Sequence, residues 1–301
     1  MFNWLFFIAY VRKMFKFDFL PDDESNNESE TQLNKTTVVQ AVPAMFLKSK
    51  EILPKNSQLV LQSVLKEAKI KVIQSNHVEI KYFCPNDVID FLKSQDLDEE
   101  SILKAEQNHS DLLPAIYEGG LKVWECTYDL LNYFKETPND FKDKFVLDLG
   151  CGAGILGIYL LINGATCWFQ DYNEDVINHI TIPNVMLNSE NFIARSNFFS
   201  GDWSSFVDLA EKKYSNFKFD YIITSETIYN TNYYTKLHLV FEKLLKSDGA
   251  VLLAAKSFYF GVGGGVHLFK DFIDSKKIFQ YKNCWKSTEG VRREILKLYF
   301  L

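Results

Sequence analysis

The chain has 301 residues and a mass of 34.9 kDa, with 47% hydrophobic and 24% charged residues. These proportions exclude wholesale disorder and allow one large domain with appendages, or two ordinary ones. The net charge of -6 is local: Asp18, Asp22, Asp23, Glu24, Glu28 and Glu30 crowd into residues 18–30 without a Lys or Arg, and the remaining 33 acids match 33 bases, so the totals do not support a basic body that grips nucleic acid through its phosphates.

Residues 1–11 (MFNWLFFIAYV) are apolar. A membrane span needs roughly 18 or more such residues, and a signal peptide carries its positive charges before the apolar run, not after it as Arg12 and Lys13 do here. Met14-Phe-Lys-Phe-Asp-Phe reads as a soluble start, so residues 1–13 are expected to be an upstream extension, with a membrane-facing anchor as the alternative. Residues 1–37 form the expected disordered acidic tail. Residues 38–110 form an accessory segment of no evident chemistry, with helical spacing over Val60–Lys71, strand alternation over Val78–Phe83 and a short helix over Val88–Lys93. Cys84, Cys126, Cys151, Cys167 and Cys284 are odd in number and lack C-x-x-C spacing, which suggests reduced thiols in a cytosolic or nuclear protein and no metal site.

The third region, residues 111–301, alternates strand and helix after a helical stretch at Leu121–Phe134. The predicted order is strand Phe145–Leu149, helix Ile155–Asn163, strand Thr166–Gln170, helix Glu174–Asn188, strand Asn191–Phe199 and strand Phe219–Thr224. Helix Tyr233–Lys246, strand Ala250–Lys256, helix Val266–Ser275 and strands Ile278–Cys284 and Arg293–Phe300 complete it. Such alternation makes an α/β fold with a mostly parallel sheet and helices on both faces; two last strands without an intervening helix give an antiparallel edge.

Gly150-Cys-Gly152-Ala-Gly154 follows the first of these strands and opens a helix. Asp148, two residues earlier, would repel a pyrophosphate but can accept from an ammonium group or a water. That favours S-adenosylmethionine, which has an amino-acid end and no phosphate, over a dinucleotide. Asp171 ends the next strand, where a carboxylate accepts both ribose hydroxyls of an adenosine. Asp202 and Trp203 follow the third strand and would face the adenine, or Asp202 simply caps a helix. Ser225-Glu226-Thr-Ile-Tyr229-Asn230 follow the fourth strand, where the reacting centre is expected.

Gly119-Gly-Leu-Lys-Val-Trp124-Glu125-Cys126-Thr127, Leu-Asp148-Leu-Gly150-Cys-Gly152, Phe169-Gln170-Asp171-Tyr172-Asn173, Ile182-Pro-Asn-Val, Gly201-Asp-Trp203, Ser225-Glu-Thr-Ile-Tyr-Asn230 and Tyr259-Phe-Gly-Val-Gly-Gly-Gly265-Val-His267 together resemble the protein-histidine methyltransferase family, a branch of the seven-stranded, Rossmann-like S-adenosylmethionine-dependent methyltransferases. The resemblance covers residues 112–301 and extends to the Met14-Phe-Lys-Phe-Asp-Phe start. It implies methylation of the tele nitrogen of one histidine in a large-subunit ribosomal protein. It also implies cofactor contacts from Val123, Trp124, Glu125, Cys126, Thr127, Asp148, Gly150, Gln170, Asp171, Tyr172, Gly201, Asp202, Trp203 and Ser225, with Gly152 in the same loop. The stretch Asn188–Phe198 lacks the long basic insertion of some relatives, which leaves the address open between cytoplasm, nucleus and nucleolus. A monomer acting on a basic protein partner, without direct nucleic-acid or membrane binding, is expected.

Imidazole is largely neutral at pH 7, so its methylation needs alignment rather than a strong base. A protein acceptor for the pros N–H leaves the tele lone pair facing the methyl group. Asn230 and Glu226, then Tyr229, are the candidates for that role, with helix capping as the competing explanation. Gly261–Gly265 reads either as a loop that admits a peptide backbone or as a plain turn, Trp124 as core packing on the predicted helix, and His267 as a helix-start residue rather than a catalyst. A protein-lysine methyltransferase of the same fold and a non-enzymatic binding role are the alternatives. The acidic tail would concentrate a basic substrate by salt-sensitive attraction, or merely solubilise the chain.

Overall fold

The computed structural model describes residues 46–54, 66, 68–75, 77–95, 100–113, 115–137 and 140–301. The acidic run 18–30, the extension 1–13 and most of the helix expected over Val60–Lys71 lie outside these residues. The central strands are β4 (Phe145–Leu149), β5 (Thr166–Asp171), β6 (Ser196–Ser200), β7 (Phe219–Ser225) and β8 (Leu245–Lys256). They are almost continuously buried, as parallel strands covered on both faces must be. With β1 (Lys50–Ile52), β9 (Phe279–Lys286) and β10 (Arg293–Phe300) they make one sheet in the order β1-β6-β5-β4-β7-β8-β10-β9. The five central strands run parallel, and β10 runs antiparallel between β8 and β9, giving the expected antiparallel edge.

Among the described residues the sheet has eight strands, one more than expected. The addition is β1, three residues from the accessory segment that pair antiparallel with β6 through Lys50–Ser200, Glu51–Phe199 and Ile52–Phe198. So short a strand leaves no readable period. The same segment supplies a separate hairpin, β2 (Ile70–Ser75) and β3 (Val78–Phe83), in which Ile70 and Lys71 are strand rather than the end of a helix. Helix Pro85–Ser94 follows the hairpin. Asn184 Oδ1 accepts from Phe83 N at 3.0 Å and Asn188 Oδ1 accepts from Lys81 N at 2.9 Å, which fastens the hairpin to helix Ile182–Asn188.

Three further local differences have physical causes. The helix expected from Leu121 starts at Glu125, with Trp124 as its extended N-cap, because Gly119–Trp124 crosses the glycine loop as an open strap. Trp124 is therefore not on the helix face; its Nε1 donates to the Gly119 carbonyl at 3.0 Å. The strand expected from Asn191 starts at Ser196, after a 3₁₀ turn over Glu190–Arg195 that Arg195 ties to the carbonyls of Ala165 and Leu161. The helix over Glu174–Asn188 passes through a π turn at Ile177–Thr181, where Pro183 follows and cannot donate.

Helix Ile155–Ile162 is apolar on every side and lies inside the protein. It enters close to β5 because residue 157 is glycine: a methyl group there would stand 2.1 Å from Phe169 Cε1. Alanine improves helix propensity by about 1 kcal/mol, but overpacking costs about 1–3 kcal/mol, and so short a contact with a buried ring lets the second effect win. Gly157→Ala is expected to lower the urea midpoint at unchanged slope; an unchanged or raised midpoint would mean the helix can shift freely.

Candidate active site

The glycine loop joins β4 to the buried helix with Gly150, Gly152 and Gly154 at φ of 68°, 48° and 74°. Gly152 packs under the strap: a Cβ there would stand 2.8 Å from the Gly120 carbonyl oxygen. Two buried carboxyls hold the loop. Asp148 Oδ2 accepts from Gly157 N at 2.8 Å, and Asp171 Oδ2 accepts from Gly152 N at 2.9 Å. Burial pushes Asp148 up to about 8, with a smaller contribution from the Asp171 charge, and pushes Asp171 up to about 6 against its bonds from Gly152 and Asn173.

The end of the third strand is built as a shelf. Gln170 is fully buried; its amide donates to the Gly201 carbonyl at 2.8 Å, and its Oε1 accepts from Trp203 Nε1 at 2.9 Å. Tyr172 donates to the Ala115 carbonyl at 3.2 Å. Asp202 caps helix Trp203–Lys213 by accepting from Ser204 N at 2.9 Å and pairs with Lys236 at 2.5 Å. Ser225 Oγ lies 3.4 Å from Thr127 Oγ1 and so links the fourth strand to the first turn of helix Glu125–Glu136. Arg293 fixes that helix to the sheet through Asp129, at 2.6 and 3.2 Å.

The three candidate imidazole acceptors have separate surroundings. Asn230 Oδ1 accepts from Asn232 N at 3.0 Å and caps the turn Thr231–Tyr233. Glu226, buried and with φ of +60°, accepts from the Tyr259 hydroxyl through Oε2, while its Oε1 makes no hydrogen bond among the described residues and faces Lys256 Nζ at 3.8 Å. Tyr229 donates its hydroxyl hydrogen to Glu118, which also accepts from Tyr233 and from Ala115 N. Burial raises the Glu118 carboxyl and outweighs those three bonds. Glu118 and Lys256 were not anticipated. Glu118 directly precedes the two glycines of the strap, and Lys256 ends the fifth strand; an acid or base at such positions was the available signal. Val123 and Cys126 flank the Trp124–Glu125 turn, with Cys126 fully buried, and His267 is exposed at the start of helix Val266–Lys276. Gly264 packs backbone to backbone on Tyr229, so part of the glycine-rich loop is a close-packed turn.

A family model described as lysine methyltransferase matches residues 100–259. The mouse histidine protein methyltransferase 1 homolog is 39% identical, with 83% of this chain and 73% of the mouse protein covered. The cattle homolog is 40% identical, with 86% and 74% covered. The chain belongs to the histidine protein methyltransferase family. The EEF1A lysine methyltransferase 3 of Xenopus tropicalis is more distant, at 25% identity over 50% of this chain and 63% of that protein.

As a member of this family the chain is a methyltransferase that uses S-adenosylmethionine. The residues present fit that group. Asp148 and Asp171 are buried acids raised by burial rather than held down by cations, which suits a ligand with an ammonium group and ribose hydroxyls. Each carboxyl also has acceptor capacity beyond the backbone bonds it makes. Among the described residues no helix is long and apolar enough to cross a membrane, and no cluster of His, Cys, Asp and Glu is arranged to hold a metal.

The raised Asp148 carboxyl has a signed consequence. The folded chain keeps a proton up to about pH 8, whereas the unfolded chain gives it up near pH 4, so this group's contribution to stability falls as pH rises between those values. Asp148→Asn is expected to gain thermal stability relative to the parent as pH goes from 5 to 8 and to lose S-adenosylmethionine binding. Parallel melting curves across that range would count against the assignment.

Proposed function

We propose that this enzyme transfers a methyl group to the tele nitrogen of one histidine in a basic protein of the large ribosomal subunit. The family membership supports histidine as the acceptor, and the resemblance of its motifs supports the ribosomal substrate. A monomer working in the cytoplasm or the nucleus, without nucleic-acid contacts of its own, fits the balanced charge of the body.

S-adenosylmethionine supplies a methyl group on a sulfonium, open to attack by a neutral nitrogen. The residues of this chain then have to orient the imidazole and exclude water. The observation that carries the proposal is the Tyr229–Glu118 bond. With its hydrogen held by Glu118, the phenol oxygen offers lone pairs only, and it can accept the pros N–H of a neutral imidazole. That turns the tele lone pair toward the methyl group. As the ring gains positive charge, the partly buried Glu118 behind Tyr229 stabilises it through the phenol. Tyr233 braces the same carboxylate, and Asn230 fixes the backbone of the loop by its cap. Glu226 gives Oε2 to Tyr259 and its Oε1 faces the Lys256 ammonium, whose charge competes with a substrate N–H, which leaves Tyr229 the better placed of the three candidates.

Phe258 and Phe260 are exposed on the loop after β8, edge to face at 4.9 Å, beside the Gly261–Gly265 run. Two exposed rings beside a glycine-rich stretch suit a surface that receives a protein segment. In a peptide assay with labelled methyl donor, Tyr229→Phe is expected to lower kcat by about 10- to 100-fold, as for loss of one hydrogen bond to a charge-bearing group, and to raise the share of pros-methylated product. Asn230→Ala should act mainly through loop stability, with the tele preference kept. A Tyr229→Phe enzyme with parental turnover and full tele selectivity would remove Tyr229 from the mechanism.

A further inference from the structure

Lys256 closes β8 with its side chain only 11% exposed, an unusual place for an ammonium group. Four groups surround it. Glu125 approaches Nζ at 3.1 Å and Glu226 at 3.8 Å, while the rings of Trp124 and Tyr259 have their centroids at 5.6 and 5.8 Å. Two carboxylates and two aromatic faces form the chemistry that recognises a substituted ammonium ion. Burial alone would lower the Lys256 ammonium, but the charges of Glu226 and Glu125 outweigh it and keep the group protonated.

The enclosure lies at the reacting end of the sheet. Glu226 directly follows β7, whose last residue Ser225 meets Thr127, and Glu125 is half exposed, so one wall opens to solvent. Glu226 also has a backbone in the left-handed region, which strains a residue with a side chain, and a buried Oε1 that makes no hydrogen bond among the described residues. A carboxylate held at that cost and facing a lysine of its own chain is a site for a cation that is already filled.

We propose that Lys256 is a specificity-determining residue: it occupies an ammonium-binding enclosure beside the reacting centre and so excludes lysine side chains in favour of a neutral imidazole. The inference rests on the proposed histidine specificity but is tested without turnover. A lysine side chain entering there would meet the Lys256 charge and find both carboxylates taken. Removing the charge while keeping the length vacates the enclosure.

The probe is n-butylammonium chloride, titrated into enzyme loaded with S-adenosylmethionine and followed by ligand-observed NMR. Lys256→Met is expected to bind it at least about tenfold more tightly than the parent, as two charge-assisted contacts and two ring faces become available. Lys256→Arg, which keeps the cation, should bind no better than the parent. Binding to Lys256→Met should be lost again in Lys256→Met/Glu226→Gln. If Lys256→Met no longer takes up the cofactor, Lys256→Gln, which can still donate to Glu125, carries the same comparison. Equal butylammonium affinity in the parent and in a cofactor-binding neutral variant overturns the inference. Failure of the parent enzyme to methylate any histidine overturns the proposed function and leaves this comparison to be decided on its own result.

Discussion

The site depends on one buried carboxylate, Asp171. Its Oδ2 accepts from Gly152 N, its Oδ1 from Asn173 N, and Gly120 passes close to the same side chain. Three segments far apart in sequence are held by this contact: the strap before helix Glu125–Glu136, the glycine loop and the end of β5. A carboxylate buried this way is costly unless it is satisfied. Its backbone donors offset part of that cost, and the shift of its titration toward neutral pH records the remainder. An ionised Asp171 that gains ribose hydroxyls would recover more. Asp171 therefore gives the floor beneath the glycine loop a preference for a ligand that brings hydroxyl donors.

Around that floor, two further acids have different neighbours and hence different chemistry. Glu118 sits among phenols and, among the described residues, pairs with no cation, so it takes hydrogen atoms from Tyr229 and Tyr233 and leaves their oxygens as acceptors. Glu226 faces Lys256 and Tyr259, and its charge is spent within the protein. A buried ion pair contributes little net stability against an apolar pair of the same volume. The proposed exclusion of a lysine side chain gives a reason for its retention here. If Tyr229 accepts from the substrate ring and Lys256 fills the cation enclosure, as proposed, both favour a neutral nucleophile.

Much of this was legible in the sequence. β4, β5 and β7 have continuous apolar runs with acidic or polar ends, and the Gly150–Gly154 run marks the loop between the first strand and its helix, so the fold and the donor could be read from residues whose types have few other uses. Three things could not be read. β1 is three residues long and finds its partner only in the folded sheet. The strap breaks the helical spacing of Leu121–Phe134 because Gly119 and Gly120 must cross Gly152, a long-range demand that local periodicity does not carry. Glu118 takes its role from Tyr229 and Tyr233, and Lys256 part of its role from Trp124 and Glu125, all more than a hundred residues away. Capping by Asp202 and Asn230, in contrast, is a local matter, and both side chains do cap. Asn230 is a candidate in the sequence for both tasks, capping and imidazole binding, because its residue type suits both.

The most direct test of the account is the identity of the methylated residue. The enzyme would be incubated with methyl-labelled S-adenosylmethionine and unmethylated large-subunit ribosomal proteins, and the product hydrolysed and resolved into methyl-lysines and the two methyl-histidines. The account predicts label in tele-methylhistidine from a single protein. Label in methyl-lysine, or in pros-methylhistidine, would contradict it.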